Sequence, residues 1–266
     1  MAQEKWLVDG PKVIDIENVR RLKVGLAGGH VDIVGHDEPT VRVEVVSVKG
    51  RDLLIKIDGD RLEIDHPQLR WDNWIEAFKN FGSSVRAEVS VLVPRDIALT
   101  LGVVSADALV TGLTSDAQLN TVSGDVVADG LAGKLTANAV SGEVTVRDHD
   151  GAVGINTVSG DVIASGAITR FHADGVSSEI MLDASGVPDA VHVNTVSGAV
   201  TARFEPDAPA SYTVQTVAGK LLLDAQSISI VRGRYTARHG ELDGKWTDVR
   251  INTVGGDVNI LHGVRA

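Results

Sequence analysis

The seven residues "NTVSGDV" stand at Asn120 to Val126 and are written again, letter for letter, at Asn156 to Val162. Looser copies align a small residue at Ala106, Gly124, Gly142, Gly160, Ser178, Gly198, Gly219, Gly240 and Gly256. The first four intervals are 18 residues each, and the rest are 20, 21, 21 and 16. A fixed period in this range is the signature of an architecture in which one supersecondary unit stacks on the next. "GLAGGHV", around Gly29, has the form of a more distant copy.

One period contains two short β-type runs and two turns. From Leu135 the chain reads "LTANAV", then "SG", then "EVTVRD", then "HDG", and the first run begins again at Ala152. Val, Thr and Ala in alternation suit strands, while Gly with Ser, Asp or Asn supplies the conformations that turns need. Each period is therefore expected to be one coil, with every strand paired in parallel to its counterpart one period later. The corner glycines are expected at positive φ.

Apolar residues recur at fixed slots, as an internal column requires. Leu135, Val153, Phe171, Val191 and Val249 form one such set. Leu119, Ala137, Ile155, Ala173, Val193 and Ile251 form a second, and Val126, Val144, Val162, Ile180, Val200, Leu221 and Val258 a third. Aromatic residues make up only 4% of the chain, as a narrow coil filled by small and branched side chains demands.

The expected fold is all-β: a single-domain parallel β-solenoid over residues 1–266 with two-strand coils of about 18 residues. Residues 13–100 read as irregular N-terminal β coils and 101–262 as the regular array. The segment "HPQLRWDNWIEAFKNFGSS" interrupts the first part. Trp71, Trp74, Ile75, Phe78 and Phe81 recur there at spacings of three and four, which predicts one short amphipathic helix near 69–82.

Charge and composition exclude several functions. Residues 101 to 200 hold twelve acids against three bases within a chain of net charge -11, so phosphate-binding partners such as nucleic acid are not expected. There is no cysteine, and hence no disulfide framework or thiolate metal site. No run approaches the roughly 18 apolar residues of a membrane span. The first residues do not read as a secretory leader, so a cytoplasmic location is expected.

An alternating strand ending in "VLVP" (Val91 to Pro94), then "RDIALTLGVVSADA", then serial copies of "TVSGDV" resemble the bacterial putative-adhesin domain family of unknown function, which has relatives in Lia-type envelope-stress systems. The resemblance covers roughly Val13 to His262. It implies a β-helix-like fold and a non-enzymatic role in adhesion, scaffolding or envelope-stress signalling, and it brings no catalytic motif.

No residue set announces a reaction. The column Asn120, Asn138, Asn156, Asp174, Asn194 and Asn252 is expected to be a hydrogen-bonded amide ladder. The acidic column Asp107, Asp125, Glu143, Asp161, Glu179 and Asp257 reads as solvated turn caps rather than a calcium cage, because each turn offers one carboxylate. Asp148, His149 and Asp150 have metal-ligand chemistry, but neighbouring strand residues face opposite sides. Serine-nucleophile, phosphate-loop and H-E-x-x-H patterns are absent, and the eight histidines are scattered. No catalytic, cofactor or metal residue is therefore expected.

The expected function is a non-catalytic binding or scaffold module for an unidentified protein partner or a second copy of the chain. Trp71, Trp74, Phe78 and Phe81 are the candidate docking residues, since tryptophan is enriched at binding hot spots. Two alternatives remain open at this level: a polysaccharide-acting β-helix enzyme, which needs a groove of convergent carboxylates or bases, and an end-to-end self-assembling structural protein.

Overall fold

The computed structural model describes residues 4–66, 85–224, 226–228 and 233–263. Among these residues there are strands and turns but no helix. The helix expected near 69–82 lies outside the described residues. The chain divides into two compact units, Met1–Gly133 and Lys134–Ala266.

The first unit contains β1 (Glu4–Val8), β2 (Lys12–Glu17), β3 (Arg21–His36), β4 (Thr40–Lys49), β5 (Leu53–Asp58), β6 (Arg61–Asp65), β7 (Arg86–Pro94), β8 (Ala98–Thr111), β9 (Ala117–Thr121) and β10 (Val126–Asp129). The long strands β3 and β8 lie parallel in register from Arg21↔Ala98 to Val34↔Thr111. This register sets Gly29 beside Ala106, so "GLAGGHV" is indeed a copy of the repeated corner. On the other side β3 pairs in parallel with β6 and β7. Beyond them the pairing becomes antiparallel, through β5 to β1 and through β4 to β2. The looser spacing before residue 100 therefore encodes antiparallel strands at one end of a parallel stack.

His66 marks the point where the chain leaves β6. Its amide donates to the Gly25 carbonyl at 3.2 Å, and its Nδ1 accepts from the Ala27 amide at 3.3 Å. Complete burial drives its pKa down to about 4, so the ring is neutral and can accept.

The second unit contains most of β11 (Ala132–Ala139), then β12 (Val144–Thr157), β13 (Val162–Gly175), β14 (Ile180–Ala184), β15 (Ala190–Thr195), β16 (Val200–Phe204), β17 (Ala210–Thr216), β18 (Leu221–Leu223), β19 (Gln226–Ile228), β20 (Gly233–His239), β21 (Thr247–Thr253) and β22 (Val258–His262). Parallel pairing runs one period ahead from β12 to β13, from β13 to β14 and β15, and from β14 to β16. The column residues Val153, Phe171, Val191 and Val249, and Val144, Val162, Ile180, Val200, Leu221 and Val258, are all buried.

Sequence order then breaks. β15 pairs with β21, and β16 with β22, so the last coil of the chain lies directly against the coil of residues 190–204. The coil of β17 and β18 is displaced one place outward, onto the far side of β21 and β22. The expected rule of pairing with the next period fails here for a topological reason. β19 and β20 run antiparallel against β18 and β17, occupying the outer edge, and the chain returns inside them. Gly240, aligned as a repeat in the sequence, follows the antiparallel β20 and forms no coil corner. Charged residues on the edge strands, such as Arg234 and Arg238 on β20, discourage a further strand from adding there.

The repeated phrase describes a corner, each letter with its own task. Thr157, 6% exposed, accepts the Gly160 amide at 3.1 Å on its hydroxyl and donates back to the Gly160 carbonyl. Ser159 donates to the Val140 carbonyl of the preceding coil at 3.1 Å. Asp161 accepts the amide of Glu179, one coil on, at 2.9 Å, and Asp257 accepts that of Lys220 at 2.8 Å. The valine points out.

The glycine is needed for a reason other than the one expected. Gly160, Gly219 and Gly256 do not have positive φ. A Cβ on Gly160 would lie 1.9 Å from the Gly142 carbonyl oxygen, one on Gly256 2.0 Å from that of Gly198, and one on Gly219 2.0 Å from that of Gly256. Stacked backbones thus exclude a side chain at this slot. Gly198 and the more distant corner copy Gly29 add positive φ values of 110° and 109°.

The coil "DGVSS" departs from the phrase in two places that compensate one another. Glycine stands at 175 where most other coils have threonine, and serine at 178 where most have glycine. A Cβ on Gly175 would meet the Ser178 hydroxyl at 2.4 Å, so the hydroxyl has moved from one slot to the other. We expect Gly175→Thr alone to destabilise the protein by about 2 kcal/mol, and Ser178→Gly added to it to restore more than about 1 kcal/mol. A double-mutant cycle in urea measures this, and strictly additive effects would show the two positions to be independent.

Candidate functional site

The corner slots of the second unit line up across the stack and produce two surface rows. In one, the Asn156 side chain donates to Asn138 at 2.9 Å, Asn194 to Asp174 at 2.7 Å, and Asn252 to Asn194 at 2.8 Å. Three rungs of the ladder expected from the sequence are therefore present, the last supplied by the inserted coil, while the Asn120 amide donates to the Leu101 carbonyl at 3.1 Å. Asp174 also lies 3.0 Å from His172 Nε2. In the second row the outward valines Val158, Val176, Val196, Val217 and Val254 are 46–54% exposed.

Between these rows lies an open groove of about 590 Å³. Asp174, Asn194, Asn252 and Gln215 supply its polar lining, Val196, Val217 and Val254 its apolar lining, and Arg234 contributes from the antiparallel edge strand. Register explains the meeting: Gln215 stands opposite Asn252 on one side and Arg234 on the other. Asp174 is the one carboxylate among the described lining residues. Carboxylate-pair glycoside hydrolysis needs two such groups flanking the scissile bond. The groove can hold a chain by amide hydrogen bonds and aliphatic contact, and its lining offers no such pair.

A second cluster sits at the other end of the β17–β20 pair, five residues along β20 from Arg234. His262, at the end of β22, has a side chain only 4% exposed. Its Nδ1 lies 3.1 and 3.2 Å from the two carboxylate oxygens of Asp224, and its amide donates to Asp224 at 2.7 Å. Its Nε2 is hydrogen-bonded to the Tyr212 hydroxyl. His239 stacks on it with ring centroids 3.8 Å apart and planes 7° from parallel, while His239 Nε2 donates to the Pro206 carbonyl at 2.9 Å. Burial pulls the His262 pKa below the ordinary histidine value, against the raising influence of its bond to Asp224. Burial and the Asp224 charge push Tyr212 up, so it remains a protonated donor. Asp224 holds its place at a φ of 51°, in the turn after β18.

The residues singled out in the sequence fare differently. Trp71, Trp74, Phe78 and Phe81 lie outside the described residues. Asp107 and Asp161 in the acidic column accept amide hydrogen bonds from the next coil. His149 is buried while Asp148 and Asp150 are exposed, so that triplet does not converge. The histidine–aspartate cluster was missed because its members stand at 212, 224, 239 and 262, with no spacing in common. Only the inserted position of β22 between β16 and β18 brings them together.

The class these features define is that of all-β chains built of stacked coils. The chain belongs to the Toastrack DUF4097 family, whose model matches residues 19–261. No curated protein matches it. Among solved structures it is similar to a putative adhesin from Parabacteroides distasonis, at 14% identity and a TM-score of 0.49, with 98% of this chain and 97% of that one covered. A putative lipid binding protein from the same species shares 12% identity at a TM-score of 0.43, covering 96% and 95%. A putative cell adhesion protein from Clostridium sporogenes shares 13% at 0.32, covering 95% and 100%. Among the described residues no helix is long and apolar enough to cross a membrane.

Proposed function

We propose that the chain is a non-catalytic binding or scaffold module that holds an extended segment of a protein partner in the groove of its second unit. The observation that carries this reading is the composition of the groove: a row of amides beside a row of half-exposed valines. Side-chain amides can donate to and accept from a peptide backbone, and aliphatic side chains offer contacts that do not depend on partner charge. The rows cross successive coils about 4.8 Å apart, so the groove's five rows, from Asp174 to Arg234, span roughly 19 Å, enough for five or six extended residues. The site asks for shape and hydrogen bonding rather than reactivity.

A photo-crosslinking residue placed at Val196 or Val254 in the native cell identifies the partner. We expect both positions to capture the same protein and a probe at Met181, 41% exposed, to capture none of it. With that partner purified, Val196→Glu together with Val254→Glu should weaken binding at least about tenfold, since a charge must then be desolvated at each contact. The melting temperature should stay unchanged. Equal capture from Met181, or unaltered affinity in the double variant, would overturn the reading.

A further inference from the structure

We propose that Asp224, His239 and His262 form a binding site for a divalent transition metal of the zinc class. Two imidazoles and a carboxylate are a donor set that suits Zn²⁺ and its neighbours, whereas Ca²⁺ and Mg²⁺ prefer all-oxygen cages. Their ligand atoms lie within 4.8 Å of one another. In a tetrahedral site with metal–ligand distances near 2.0 Å, ligands stand roughly 3.3 Å apart. The Nδ1 of His262 is already 3.1 Å from the Asp224 carboxylate, and closure needs the His239 ring, now stacked on His262, to turn its in-plane lone pair towards the same point.

The outer face of each ring supports this assignment. The Pro206 carbonyl can only accept, so His239 carries its proton on Nε2 and keeps the Nδ1 lone pair free. His262 Nε2 is held by the Tyr212 hydroxyl, which accepts from it once Nδ1 turns to a metal. Metal-ligating histidines are oriented in this way, with the second ring nitrogen donating to a carbonyl or another oxygen. One side of the cluster is closed by the protein, since the His262 side chain is 4% exposed. The Asp224 side chain is 43% exposed and leaves the other side open to a fourth ligand such as water.

The site would also tie the outer coil to the inserted one. Asp224 follows β18, His262 ends β22 and His239 ends β20, three strands that no continuous stretch of chain holds together at this corner. A metal here therefore stabilises the stack by its binding free energy.

The test uses the full chain stripped of metal with a chelator and then titrated with Zn²⁺, Co²⁺ or Ca²⁺. We expect Zn²⁺ to bind one equivalent and raise the melting temperature by several degrees, Co²⁺ to give the visible absorption of a tetrahedral site, and Ca²⁺ to do neither. Asp224→Asn, which keeps the turn residue acceptable at positive φ, and His239→Gln at the more exposed ring should each lower Zn²⁺ affinity by about 100-fold or more, and Tyr212→Phe by about tenfold. His172→Gln, outside the cluster, should leave it unaltered. The proposal is overturned if Zn²⁺ gives no saturable shift, if Ca²⁺ gives the same shift, or if both ligand variants bind as the parent does. None of these readouts depends on a partner in the groove.

Discussion

Valine in place of Gly160 will lower the free energy of unfolding by about 3 kcal/mol, at the upper end of what overpacking usually costs. The Cβ would stand 1.9 Å from a carbonyl oxygen of the coil beneath, and backbone cannot swing aside as a flexible side chain can. Relief requires the two corners to separate, which stretches the amide bonds that join the coils. Gly154→Ala is the control, because nothing lies within 4 Å of its Cβ and its φ is not positive. That change should stay within about 0.5 kcal/mol of the parent. Urea midpoints at constant slope measure both. Equal effects from the two substitutions would remove the close-approach explanation of the corner glycine.

Phe171→Ala should cost about 3 to 5 kcal/mol, the range for deleting a buried aromatic side chain. Phe171 is 1% exposed and stands in register between Val153 and Val191, so it is a large side chain held between two small ones. The neighbouring coils are fixed at strand spacing by their ladders and cannot close over the space left behind. Phe171→Leu, which refills most of that space, should fall between the parent and the alanine variant. If alanine cost no more than leucine, the column would be loosely packed at this level.

Much of the fold is legible because a repeat states the same local requirement many times. A single buried valine says little, but Val144, Val162, Ile180 and Val200 at the same slot define an inward column, and each is at most 2% exposed. The amide ladder is readable for the same reason: Asn156 needs its partner at Asn138, 18 residues back, and the sequence supplies it. The groove was only half legible. The ladder residues were in view, but the outward valines pass for ordinary strand residues until their exposure is known, and Arg234 enters only through an antiparallel pairing that no period announces.

Positive φ, expected of the corner glycines, holds at Gly29 and Gly198, whereas Gly160, Gly219 and Gly256 are required by close approach of a neighbouring backbone instead. Sequence alone cannot separate the two explanations, since both exclude a side chain. The distinction rests on how closely the next backbone passes, which is a tertiary quantity.

By itself, then, the sequence determined the coil: its two strands, its columns, and the Thr, Ser, Gly and Asp that close each corner through bonds a few residues or one coil away. What only the tertiary structure decided is the order of the coils. Any coil with these columns and corners can stack on any other, so the local code does not say that Asn252 must bond to Asn194, 58 residues distant, nor that the amide of Lys220 must reach Asp257, 37 residues further on. That order is set by the antiparallel return of β19 and β20, which fills the outer edge and sends the last coil inward. The corner where Asp224, His239 and His262 meet is a consequence of that return.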